Sequence, residues 1–167
     1  VHPKLVTDMT PGDTDDPAIW INPGNPEKSL VLGTDKGVDG GPGGLYVFDL
    51  RGRLLEEKTV FPLQRPNNVD VEYGLSLGSR THDIAVVTER QTCKIRVFSL
   101  PDMTPLDDDG IPVFSSEQGE KERAPMGIAL YKRPEDGAVF AVVKRAVCRH
   151  VQQQHLSVLR LERYCWR

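Results

Sequence analysis

A recurrence at about 54 residues constrains this chain more than any single motif in it. Short runs of β-branched and aromatic residues return three times in the same order. The opening strands are Asp16-Pro17-Ala18-Ile19-Trp20, Asp70-Val71-Glu72-Tyr73-Gly74 and Met126-Gly127-Ile128-Ala129-Leu130. Second strands end on a polar-basic corner at Thr34-Asp35-Lys36, Thr88-Glu89-Arg90 and Val143-Lys144-Arg145, and closing strands end on Leu50, Leu100 and Leu161. Asp16 and Asp70 lie 54 apart, Lys36 and Arg90 lie 54 apart, and Arg90 and Arg145 lie 55 apart. Thirteen prolines are scattered through the chain, and no helix-length stretch shows a 3.6-residue apolar period. Four-stranded units repeating at roughly 40–50 residues are the mark of a β-propeller. The expected class is all-β, a β-propeller with generous loops.

That period has an architectural consequence. The 167 residues make about three such units, whereas closed propellers have roughly four to eight blades. An incomplete ring with open blade faces is therefore expected, and such faces invite self-association. Residues 1–143 read as the N-terminal blades. Residues 144–167 differ: they hold six Lys/Arg against one Glu, net +5, while the preceding residues carry −8. This stretch also contains Cys148, Cys165, His150 and His155. It reads as a divergent basic segment ending the third blade, altered or cut short relative to a longer chain.

Composition narrows the partners. A net charge of −3 lacks the basic footprint of a nucleic-acid binder. No stretch approaches the roughly 18 apolar residues of a membrane-spanning helix. Cys93, Cys148 and Cys165 are widely spaced and form no CxxC, so neither a zinc ribbon nor a disulfide framework is indicated. Val1 onward shows no basic-then-apolar leader pattern.

Three groups of residues can carry chemistry. Asp13-Thr14-Asp15-Asp16-Pro17 packs three carboxylates against the head of an apolar strand, a donor set suited to a hard cation or, more plainly, to a turn. Arg65-Pro66-Asn67-Asn68-Val69-Asp70 repeats an acid at a strand head, and Asp16 and Asp70 are expected to face one central ion. Lys36, Arg90 and Arg145 would place one cation per blade at a common corner, a clamp for a multiply anionic ligand such as phosphate. Gly40-Gly41-Pro42-Gly43-Gly44 lacks the lysine of a phosphate-binding loop and reads as a hairpin loop, and Asp107-Asp108-Asp109-Gly110 reads as a solvated loop.

The segments Asp15-Asp16-Pro17-Ala18-Ile19-Trp20, Gly33-Thr34-Asp35-Lys36, Asn67-Asn68-Val69-Asp70, Glu89-Arg90 and Gly127-Ile128-Ala129-Leu130-Tyr131 resemble the β-propeller phytases, the calcium-dependent alkaline phytases of bacteria. The resemblance runs over residues 10–143. It implies a six-bladed ring that removes phosphate from myo-inositol hexakisphosphate with Ca2+ as cofactor, in a secreted or periplasmic setting. By motif it implies metal-ligand roles for Asp16, Pro17, Val69 and Asp70, and substrate-phosphate roles for Lys36, Arg90 and, more loosely, Arg145; no catalytic side chain is assigned. Met126 stands where some members have Tyr. Further acidic ligands are expected in blades this sequence does not contain, so the chain alone is expected to be weak or inactive. The competing expectation is a non-catalytic module that binds anionic ligands.

Overall fold

The computed structural model describes residues 2–115, 124–145 and 156–165. The third-blade residues Cys148, Arg149, His150, Gln152-Gln153-Gln154 and His155 lie outside those residues, as does Arg167. Among the described residues eleven strands form three antiparallel sheets, and the only helical pieces are three-residue 3₁₀ turns. The first sheet holds β1 (Thr14–Trp20), β2 (Leu30–Asp35), β3 (Gly43–Phe48) and β4 (Val60–Leu63) in that order. The second holds β5 (Pro66–Leu77), β6 (Arg80–Glu89), β7 (Lys94–Leu100) and β8 (Ile111–Pro112). The third holds β9 (Pro125–Lys132), β10 (Val139–Arg145) and β11 (Leu156–Arg160). Each sheet is a meander whose first strand lies innermost, which is how propeller blades are built.

Alternation along the strands builds the packing. Leu32, Leu45, Val47 and Leu63 of the first sheet meet Val69, Ala85, Val87 and Phe98 of the second in one buried cluster. Ile84, Val86, Ile95 and Val97, on the other face of the second sheet, meet Val139, Ala141, Val143 and Leu159 of the third. The second sheet is thus apolar on both faces, as a sheet held between two others must be. The far face of the third sheet carries Tyr131, Leu156 and Val158, which are 52–62% exposed.

A second set of bonds locks the innermost strands together. Gly33 pairs with Pro17, Val87 with Val69 and Val143 with Ile128; two residues later Asp35 pairs with Thr14, Glu89 with Pro66 and Arg145 with Pro125. Two residues of each second strand therefore span three of the first, so the same β-bulge recurs in all three sheets. The bulges fall on Asp15-Asp16, Asn67-Asn68 and Met126-Gly127. Behind the first two sit Thr34 and Thr88, both fully buried. Thr34 Oγ1 accepts from Asp16 N–H at 3.0 Å and donates to the Asn67 carbonyl of the next sheet at 2.5 Å. Thr88 Oγ1 accepts from Asn68 N–H at 3.0 Å and donates to the Met126 carbonyl at 3.0 Å. A hydroxyl suits this place because it accepts and donates at once. Lys144 occupies the equivalent position in the third sheet and is exposed.

Two loop expectations are corrected. Asp107 is not solvated: its side chain is 1% exposed, pairs with Arg96 at 3.0 Å and accepts from Val97 N–H at 2.8 Å. The glycine run is not wholly loop either. Gly43 and Gly44 open β3, and a Cβ on Gly43 would lie 1.9 Å from the Asp35 carbonyl oxygen.

Replacing Thr34 or Thr88 with Val removes a donor and leaves a buried carbonyl unpaired, so each variant should lose about 1–3 kcal/mol in a urea unfolding titration. Acid should also weaken the fold. The carboxyls of Asp49, held by the backbone N–H groups of Arg53 and Arg51, of Asp109, held by Lys94, and of Asp136, held by Arg133, all lie below their ordinary values. Their contribution is complete above the unfolded value of about 3.9 and is lost as pH falls through the depressed folded values. The urea midpoint should be level between about pH 5 and 7 and drop below about pH 4.

Candidate functional site

The bulges bring the candidate residues to one corner. At the junction of the first two sheets, Lys36 Nζ lies 2.9 Å from Asp15 Oδ1 and 3.3 Å from Asp13 Oδ2. The hydrogen bond that Lys36 donates to Asp15, then the one it donates to Asp13, raise its pKa above the ordinary value against the opposing effect of burial. The other Asp15 oxygen, Oδ2, accepts from Asn67 Nδ2 at 3.1 Å, across the sheet junction. Asp16 Oδ2 accepts from Val69 N–H at 3.0 Å, also across it. Asn67 is 1% exposed, and its Oδ1 has no hydrogen-bond partner among the described residues.

Lys36 and Arg90 occupy matching places. Lys36 N–H donates to the Asp13 carbonyl at 2.9 Å and Arg90 N–H to the Arg65 carbonyl at 3.2 Å, each just past the end of a second strand. Immediately before them, Asp35 and Glu89 also play one part. Asp35 accepts from Gly12 and Gly37 N–H, while Glu89 accepts from Gln64 N–H and the Thr92 hydroxyl. These acids fasten the loops on either side of the corner.

The strand register revises two sequence alignments. Pro17, Val69 and Ile128 are equivalent, which makes Asp16 the counterpart of Asn68 and Gly127, not of Asp70. Asp70 is equivalent to Ala18, and its carboxylate is engaged by Val71 N–H at 2.8 Å and by Leu130 N–H of the third sheet at 2.7 Å. The same register makes Arg145 the counterpart of the acids Asp35 and Glu89 rather than of Lys36 and Arg90. Arg145 is 6% exposed. The next residue, Ala146, would be the third corner position by this count and lies outside the described residues. The slip arises because β6 and β10 are offset by 56 residues rather than 55, a difference that loop lengths hide from sequence spacing.

Asp15 and Asn67 both sit in motifs that stand out in the sequence. A polar pair immediately before Pro17 and Val69 was the available signal; their meeting across sheets was not. Among the described residues no group of three or more His, Cys, Asp or Glu side chains is arranged to hold a metal. The oxygen donors are of mixed kind instead: the carboxylates of Asp15 and Asp16 and the unpartnered, buried amide oxygen of Asn67. Hard cations such as Ca2+ accept mixed carboxylate, amide and main-chain oxygens.

A sequence model of the phytase family matches residues 5–153. The chain belongs to the phytase family. It is similar to a 3-phytase of Bacillus subtilis (strain 168), with 32% identity over 135 residues that cover 77% of this chain and 32% of the relative. The chain therefore spans about a third of the length of that curated phytase. The all-β fold of stacked antiparallel sheets is consistent with a phytase of the β-propeller type.

Asp15→Asn should cost Lys36 its shorter ion pair, and its raised pKa should fall back toward the ordinary value. NMR titration of the lysine side chains checks this.

Proposed function

We propose that this chain supplies part of a phytate-binding, phosphomonoester-hydrolysing site of the 3-phytase type, dependent on Ca2+. The observation that carries the reading is the junction of the first two sheets, where Lys36 pairs with Asp15 and Asp13, Asn67 meets Asp15 and Asp16 meets Val69, with Arg90 at the matching corner. Family membership supports the substrate class.

Lys36 offers a compact ammonium with three donors, and Arg90 a planar fork suited to two phosphate oxygens at once. Two cations on neighbouring blades fit a substrate that carries several phosphates around one small ring. Asp16, with the main-chain oxygens of Pro17 and Val69, would hold Ca2+. When bound, the ion would neutralise phosphate charge and lower the pKa of a coordinated water. Asp70 ties the second sheet to the third through Leu130 N–H. Arg145 adds positive charge beside the third corner, in the place that Asp35 and Glu89 take in the other two sheets.

Bare, these carboxylates repel a polyanion, which is the physical reason for expecting calcium and substrate to bind together. An extracellular or periplasmic setting, where calcium is abundant, accompanies the reading. No helix among the described residues is long and apolar enough to cross a membrane. The open face of the third sheet would be covered by a further blade of a longer phytase or by self-association.

The test is calorimetric binding of myo-inositol hexakisphosphate to this chain, together with phosphate release, each with millimolar Ca2+ and with chelator. Calcium-dependent binding is expected, with Lys36→Ala and Arg90→Ala each weakening it by about tenfold or more. Binding that ignores the chelator would favour the non-catalytic anion-binding module. Binding that ignores both substitutions would remove the site from this corner.

A further inference from the structure

Asn67 lies in a place where blade 3 uses an apolar residue. The shared bulge makes Asp15, Asn67 and Met126 equivalent. The two main-chain ties across the first junction, Thr34 hydroxyl to Asn67 carbonyl and Asp16 carboxylate to Val69 N–H, do not use the Asn67 side chain. A methionine could fill the site without a polar atom to satisfy, and Asn67 instead buries an amide whose Oδ1 has no partner. Burying an unpaired polar atom is unfavourable, so the fold gains nothing from this choice that the main-chain ties do not already supply.

The amide's other end accounts for it. Asn67 Nδ2 donates to Asp15 Oδ2 at 3.1 Å, and Asp15 Oδ1 receives Lys36 Nζ at 2.9 Å. A buried amide thus fixes one oxygen of a carboxylate whose side chain is 30% exposed, and the second oxygen then has a set direction for the ammonium. The corresponding corner of the second sheet is built differently. There the Asp15 position is Asn67 itself, the Asn67 position is Met126, and Arg90 has no ion pair among the described residues.

We propose that Asn67 is a positioning residue for Lys36, acting through Asp15 across the junction of the first two blades, so that Lys36 is preset for an anionic ligand while Arg90 adapts to it. The ligand half of this statement rests on the phosphate-binding reading of Lys36; the positioning half does not. A preset ammonium loses less freedom on binding than a free lysine, so the relay raises affinity without itself touching the ligand.

The test measures Lys36 directly in the full chain, without ligand. Pulse acetylation read by mass spectrometry compares Lys36 with Lys28 as an internal reference. Asn67→Met and Asp15→Asn should each raise relative Lys36 labelling several-fold, and the double variant should show no further rise, because both act on one chain of contacts. A rise with Asp15→Asn but none with Asn67→Met overturns the relay. If Asn67→Met does not melt cooperatively, the side-chain amide resonances of Asn67 decide the matter: they should move in Asp15→Asn, a substitution at a partly exposed side chain, and unmoved resonances overturn it. Myo-inositol hexakisphosphate with Ca2+ is then added. Protection of Lys36 in the wild type that weakens in Asn67→Met supports the whole proposal. Protection of equal strength in the two overturns its ligand half, and no protection in the wild type counts against the phosphate-binding reading while the ligand-free labelling still decides the relay.

Discussion

Two buried threonine hydroxyls hold the geometry on which the rest depends. Each sheet alone is an antiparallel meander with an apolar face, and apolar faces can slide. Thr34 and Thr88 prevent this at one end by bonding the main-chain carbonyl of the next innermost strand. The bulge is what frees that carbonyl, because the extra residue drops out of the ladder with its own sheet. Direction is added by the directed bond, cohesion by the nonpolar packing behind it.

The same bulge also delivers chemistry. Its two residues lie at the edge where one sheet meets the next, so their side chains face a junction rather than a flat sheet surface. The pair is Asp15-Asp16 in the first blade, Asn67-Asn68 in the second and Met126-Gly127 in the third, a fall from charged to polar to apolar. The scaffold repeats while its contents change. Charge is therefore concentrated at the first junction, where Lys36 meets two acids, and the second junction keeps Arg90 without such company. In a repeat protein, a site arises when neighbours at equivalent positions differ.

Much of the fold was legible from strand runs and their recurrence. The apolar cores at Leu30–Leu32, Ile84–Val87 and Val139–Val143 all became strands, since alternating burial on a two-sided sheet leaves a plain imprint. Alignment of the blades was less legible. Spacings of 54 and 55 paired Asp16 with Asp70 and carried Arg145 to the corner of Lys36, and the hydrogen-bond register moves both. Loop insertions change the spacing of elements by one or two residues without changing their pairing, and a one-residue error moves a side chain to the opposite face. Asp107 was misread for a related reason: an acid in a run of acids looks solvated until Arg96 folds against it.

By itself the sequence determined the all-β class, the repeating unit and the families of residue at each corner, because side-chain period and turn residues are local properties of the chain. Which residues meet was decided only by the tertiary structure. Asp15 and Asn67 are 52 positions apart, and their contact exists because a bulge in one strand and a threonine behind another place two sheets in register. No local preference encodes that distance; it follows from packing the two faces and satisfying the backbone groups between them.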